Sequence, residues 1–201
     1  MSQQYNTKSR QPEHAPKNQD IALASPGPAS LGRRFGAYLI DWYLGGLATS
    51  LPISVVSMKL FGTVQNQNIL SFPAPQCFFA GIGGLIGACL YYVFIPTGIW
   101  KGQTPGKRLL NLKIVSKDGS PVTFGALVLR QVVGIMVVEG GLVTASTLWH
   151  QLATIITGAD LVKPLMYLGM AVSIASSVLT LFGDHRALHD RFGRTLVVSD
   201  K

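Results

Sequence analysis

The chain has 201 residues, of which 48% are hydrophobic and only 13% charged, with a formal net charge of +8. Apolar residues gathered into long blocks, with so few charges between them, exclude an ordinary soluble domain and point to a membrane protein. The basic excess does not signal nucleic acid, because the lysines and arginines collect at the edges of the apolar blocks, where they mark membrane topology.

Residues 1–32 come first. Positions 1–30 are polar, contain four prolines and could not bury enough apolar surface to fold alone, so they read as a disordered cytoplasmic tail. They contain no apolar stretch of the cleavable-signal type, and the first apolar helix is expected to direct insertion itself. Four blocks follow, at 34–56, 77–100, 127–149 and 162–183. Each can cross a hydrocarbon core that needs ~20 residues. The expected fold is an all-α membrane protein of four transmembrane helices over residues 33–201.

The first block, RRFGAYLIDWYLGGLATSLPISVV, contains Arg34 and Asp41. Seven residues is nearly two helical turns, so both fall on one face. A carboxylate in the middle of a span costs about 2.5 to 3.5 kcal/mol, so a partner, a proton or a water path must offset it. The second block carries GIGGLIGA, in which Gly83 and Gly87 form a small-xxx-small pair for close helix packing. With no preceding strand and the wrong spacing, it is not a nucleotide loop. Cys77 and Cys89 lie ~18 Å apart on that helix and cannot form a disulfide within it.

The connection at 101–125 is the most structured. Thr104 and Pro105 suit the N-cap and first turn of a short interfacial helix, with Lys107 and Arg108 toward lipid headgroups. LKIVS and PVTF flank Asp118-Gly119, a hairpin signal, and the terminal GRTLVVS is expected to pair with it in a small sheet. Glu139, in the third block, counts to the outer half of its helix. It either completes a path with Asp41 or is a hydrogen-bonded or snorkelling side chain. In the fourth block, Gly169, Ser173, Ser176 and Ser177 read as a packing face. His185 and His189 share one side of a helix, but a closed zinc site needs further ligands, so no metal and no cofactor is expected. Without a Ser-His-Asp spacing, a cysteine pair or a metalloprotease signature, the chain is not expected to be an enzyme.

Lys8, Arg10, Lys17, Arg33 and Arg34 precede the first block, Lys101 to Arg130 separate the second from the third, and Arg186 to Lys201 follow the fourth. The positive-inside rule therefore places both termini and the central loop in the cytoplasm. Three segments, RRFGAYLIDW, GQTPGKRLLNLKIVSKDGSPVTFGALVLR and RALHDRFGRTLVV, together resemble the RDD family of bacterial membrane proteins, named for one arginine and two aspartates. The resemblance spans about residues 32–198 and matches Arg34, Asp41 and Asp190 to those three. Asn111 stands where such proteins often have glycine after KRLL, and asparagine tolerates the same turn geometry. Membership implies a multi-pass protein of the bacterial cell (inner) membrane with a suggested transport role.

Arg34 is expected between the carboxylates of Asp41 and Asp190. In a functional version, Asp41 exchanges a proton or cation while Arg34 tunes it. In a structural version, the arginine staples the C-terminal segment to the first helix. The function expected is membrane transport of a small solute or monovalent cation, proton-coupled through Asp41, with Arg34, Asp190 and Glu139 in the network. The alternative is a non-transporting scaffold that recruits a cytoplasmic protein partner. A hydrated Asp41 favours transport, and a dry, fully paired one favours the scaffold. The expected partners are the lipid bilayer, further copies of the chain in a homo-oligomer, and no nucleic acid.

Overall fold

The computed structural model describes residues 29–140, 144–182 and 186–200. Of the expected tail, positions 1–28 fall outside these. Ala29 is already buried, and its N–H donates to Val197 O at 3.2 Å. Helix α1, Leu31–Phe61, uses the whole first apolar block and ends where Gly62 adopts a left-handed φ of 68° and donates to Met58 O. Helix α2, Gln76–Ile99, returns alongside it, widening from Leu90 into π-type turns such as Trp100 N–H to Ile95 O. A Cβ on Gly87 would stand 2.3 Å from Ala48 O, and one on Gly83 would stand 3.0 Å from Pro52 Cβ. The small-residue pair therefore does what its spacing predicts: it lets α1 and α2 approach closely.

A short helix α3, Pro105–Leu109, leads into strand β1, Leu112–Ser116. Helices α4, Phe124–Val138, α5, Thr144–Thr157, and α6, Val162–Leu179, follow. A one-turn helix α7, Leu188–Phe192, precedes strand β2, Thr195–Ser199. Helices α1, α2 and α6 are long and apolar enough to cross a membrane. The continuous third span expected at 127–149 does not form. It is replaced by α4 and α5, which are interrupted after Glu139. The carbonyl of Met136 is satisfied across the interruption by Ser146 Oγ at 2.8 Å and Trp149 Nε1 at 2.9 Å. Side chains so placed make a break tolerable inside an apolar bundle. Helix α5 then continues along α2, with Leu148 against Gly84 and Leu152 against Gly81.

The sheet also differs from expectation. Strand β1 pairs antiparallel with β2, in a register from Leu112 opposite Ser199 to Ser116 opposite Thr195. The Asp118-Gly119 turn forms, with Gly119 at φ 83°, but PVTF contributes only a single bridge, Val115 to Pro121. Pro121 has no N–H to extend a ladder, and Thr123 immediately caps α4 by accepting from Ala126 N–H. The terminal strand takes the vacant edge. Leu112, Ile114 and Val197 bury against Ala37 of α1, Val93 of α2 and Leu127 of α4, which fixes the sheet to one end of the bundle, the sheet end.

A candidate site of two charge clusters and a cavity at the sheet end

Asp41 is 3% exposed. Its Oδ1 accepts from Tyr91 Oη at 2.9 Å and from the Gly106 N–H at 2.8 Å. Its Oδ2 accepts from Lys107 Nζ at 3.0 Å and from Thr104 Oγ1 at 2.5 Å. Two of these donors are carried by α3, one precedes it, and the fourth comes from α2, so the carboxylate ties three elements together. Gly106 is required for the approach, since a Cβ there would stand 2.5 Å from Ala37 O and 2.8 Å from Asp41 Oδ1. Two expectations are corrected here. Lys107 turns inward to the carboxylate, not toward headgroups, because the buried charge needs a counter-charge. Thr104 and Pro105 do take the N-cap and first positions of α3, but the Thr104 hydroxyl goes to Asp41 and makes no cap bond. Burial pushes the Lys107 ammonium below the ordinary lysine range, with Asp41 opposing. Arg108 does face outward, its Cζ 4.8 Å from the centre of the Trp100 ring.

The second cluster surrounds Asp190, which is fully buried. Arg34 bonds its Oδ2 at 2.8 Å, and Arg130 bonds its Oδ1. Thr195 Oγ1 accepts from Arg130 at 2.8 Å. Arg186 donates to the Asp190 carbonyl at 2.8 Å and to the Thr195 carbonyl at 3.2 Å. The expected bridge of Arg34 between two carboxylates is thus half present. Arg34 holds Asp190, but among the described residues the ion partner of Asp41 is Lys107, because the 101–109 connection folds over the helix at that level. Asn111, at φ 51°, makes the left-handed turn expected of it.

Glu139 lines the same cavity as Arg34, Phe35 and Tyr38 of α1. Its Oε1 accepts from Ser176 Oγ at 2.6 Å and from the His189 N–H at 2.9 Å, and its Oε2 lies 2.8 Å from His189 Nδ1. The C-terminal segment reaches along α4 to meet its end there. Gly134 permits that docking, since a Cβ there would stand 2.7 Å from His189 Cβ. Glu139 and Asp41 have no shared partner among the described residues. Burial, and next the positive charge of Arg130, hold the His189 ring down to about 4, so at neutral pH it is uncharged and carries its proton on the Nδ1 that faces Glu139. His185, the other half of the expected histidine pair, lies outside the described residues.

Beside these clusters is a cavity of about 720 Å³. Arg34, Phe35 and Tyr38 of α1 form one wall, and Ser173, Ile174 and Ser177 of α6 the other. Arg130, Ile135, Glu139, Lys107 and His189 close the inner side. Asp41 and Asp190 do not line it. Ser173, Ser176 and Ser177, read from sequence as packing, therefore face space in part. The sequence reading gave no place in the charge clusters to Tyr91, Thr104, Lys107 or Arg130. Arg130 had a usable signal, since it interrupts the apolar run LVLRQVVG as Arg34 interrupts its own. The other three are recognisable only once α3 folds back over Asp41.

The sequence model of the RDD family matches residues 28–194. The chain is 29% identical over 110 residues to the uncharacterized protein YckC of Bacillus subtilis (strain 168), a stretch covering 55% of this chain and 61% of that protein. The chain thus spans about three-fifths of the length of that relative. No solved structure matches.

Proposed function

This chain belongs to the RDD family, and from that premise we propose that it transports a small solute or monovalent cation across the bacterial cell (inner) membrane. Both termini and the sheet end lie in the cytoplasm, α4 and α5 together make a fourth, broken crossing, and copies associate as a homo-oligomer. The cavity carries the proposal. It has the 300–1,000 Å³ size of ligand sites and convergent polar groups on an otherwise apolar wall. Its Glu139 and His189 are a carboxylate and a neutral imidazole in direct contact, and a solute's charge entering the cavity would shift their proton affinities. Asp41, away from the cavity and held by four donors, is a positioning residue that fixes the 101–109 connection.

The test is flux into liposomes containing the purified protein and a pH-sensitive dye, under sodium, potassium and small-anion gradients. Wild type is expected to couple one gradient to proton movement, and Glu139→Gln at matched incorporation to lose the coupling. Absence of flux from folded wild type under every gradient would count against transport.

One observation favours the second function, a scaffold that recruits a cytoplasmic protein. Asp41 is buried and held by four donors, while Lys101, Arg108, Lys117 and Arg194 are exposed. An acidic partner retained by wild type, and lost when Lys101, Lys117 and Arg194 are replaced by glutamine, would support it.

A further inference from the structure

We propose that the occupant of the cavity is an amphipathic anion, with a phosphate or carboxylate head at Arg34, Lys107 and Arg130 and a single alkyl chain along the apolar wall. This deepens the transport proposal and rests on it for the site's purpose, but binding is measurable without turnover. Charge is the first ground. Among the described residues, the lining presents three cations and one carboxylate, Glu139, while two carboxylates that pair with those cations, Asp190 and Asp41, do not line the cavity. His189 contributes no charge near neutral pH. An oxyanion in that space meets guanidinium groups whose fork geometry suits it.

The second ground is an unmet donor. Arg130 is 3% exposed, yet among the described residues its Nε has no hydrogen-bond partner. Buried donors are almost always paired, and one that is not marks a place where an acceptor is missing. Shape is the third. Helices α1 and α6 form opposite walls without packing closely together, so the cavity opens sideways between them. Phe35 and Ile174 at that opening are 62% and 61% exposed and would stand against acyl chains. A small hydrated ion would leave this wall unused. An amphiphile entering from the bilayer keeps its chain against apolar side chains throughout and brings only its head to the charged end.

The experiment uses the full chain purified in an uncharged maltoside, titrated with dodecyl phosphate, dodecyltrimethylammonium and inorganic phosphate. Dodecyl phosphate is expected to bind roughly tenfold or more tightly than either control, about 1.4 kcal/mol. That preference should vanish in Arg34→Gln. Because Arg34→Gln also removes a partner of Asp190, Ser173→Trp serves as the second variant: it fills the cavity, leaves every charge in place and should equally abolish binding. Equal binding of the two amphiphiles, inorganic phosphate as tight as dodecyl phosphate, or unchanged affinity in Ser173→Trp would each overturn the assignment. Binding without any flux would uphold it while removing the transport proposal. Flux without the amphiphile preference would do the reverse.

Discussion

At the scale of single residues, a buried carboxylate is tolerable only when its charge and lone pairs are met, and Asp41 has four donors doing so. Replacing it by asparagine leaves the Lys107 ammonium buried without its counter-charge. Asp41→Asn is therefore expected to lower stability by about 3 to 5 kcal/mol, read from unfolding in detergent. Adding Lys107→Met should recover part of the loss, because the orphaned charge then disappears. No recovery in the double variant would mean that the neutral donors, not the ion pair, carry the effect. Gly106→Ala tests the same contact from the other side. Its Cβ would meet a backbone carbonyl, which cannot swing away, so a loss of about 1 to 3 kcal/mol is expected.

At the scale of elements, the C-terminal segment is the least self-sufficient part of the fold. A one-turn helix cannot persist alone. Helix α7 is held by Asp190 in the arginine cluster, by Gly134 beneath His189, and by Gly193, where a Cβ would stand 2.8 Å from Ala126 O. Gly134→Ala should push α7 off α4 and lower the Tm, with protease sensitivity rising near residues 186–194. His189 adds a pH dependence whose sign follows from its lowered pKa. An unfolded histidine binds its proton near pH 6.5 and this one near 4, so between those values the unfolded chain holds more protons. Stability should fall as pH drops from about 6.5 to 4 and be unaffected by this group above that window. Thermal unfolding of wild type against His189→Asn, which keeps a donor near Glu139, should show the smaller pH slope in the variant. A slope unchanged by the substitution would assign the effect to other groups.

At the scale of the whole molecule, the proposed topology puts the 62–75 connection and the α5–α6 turn on one side of the membrane and the sheet on the other. Single cysteines at Gln65, Asp160 and Lys117, in a background with Cys77 and Cys89 replaced, provide the check. An impermeant maleimide added to intact cells should label the first two and spare the third. Labelling of position 117 but not 65 would invert the orientation. Labelling of 65 without 160 would mean that α4 and α5 do not together cross. Three helices are long and apolar enough to cross a membrane, and both charge clusters lie where the short elements fold over the bundle.

Much of this was readable without coordinates. Apolar run length is a local property, and it is enough to locate α1, α2 and α6 and the close contact at Gly83 and Gly87, because helix packing of that kind depends only on side-chain size at a fixed spacing. The strand at 195–199 is legible for the same reason. Which charge meets which was not. Asp41 and Lys107 are 66 residues apart, and Arg130 and Asp190 are 60 apart, and nothing in local pattern distinguishes Lys107 from its neighbour Arg108, which faces outward. A buried charge takes whichever partner the tertiary fold brings within reach, since desolvation makes an unpaired one too costly to keep. The pairing of Asp41 with Lys107, the meeting of Glu139 with His189 and the cavity between α1 and α6 are therefore consequences of tertiary packing, decided when α3 and the C-terminal segment close over the helix ends.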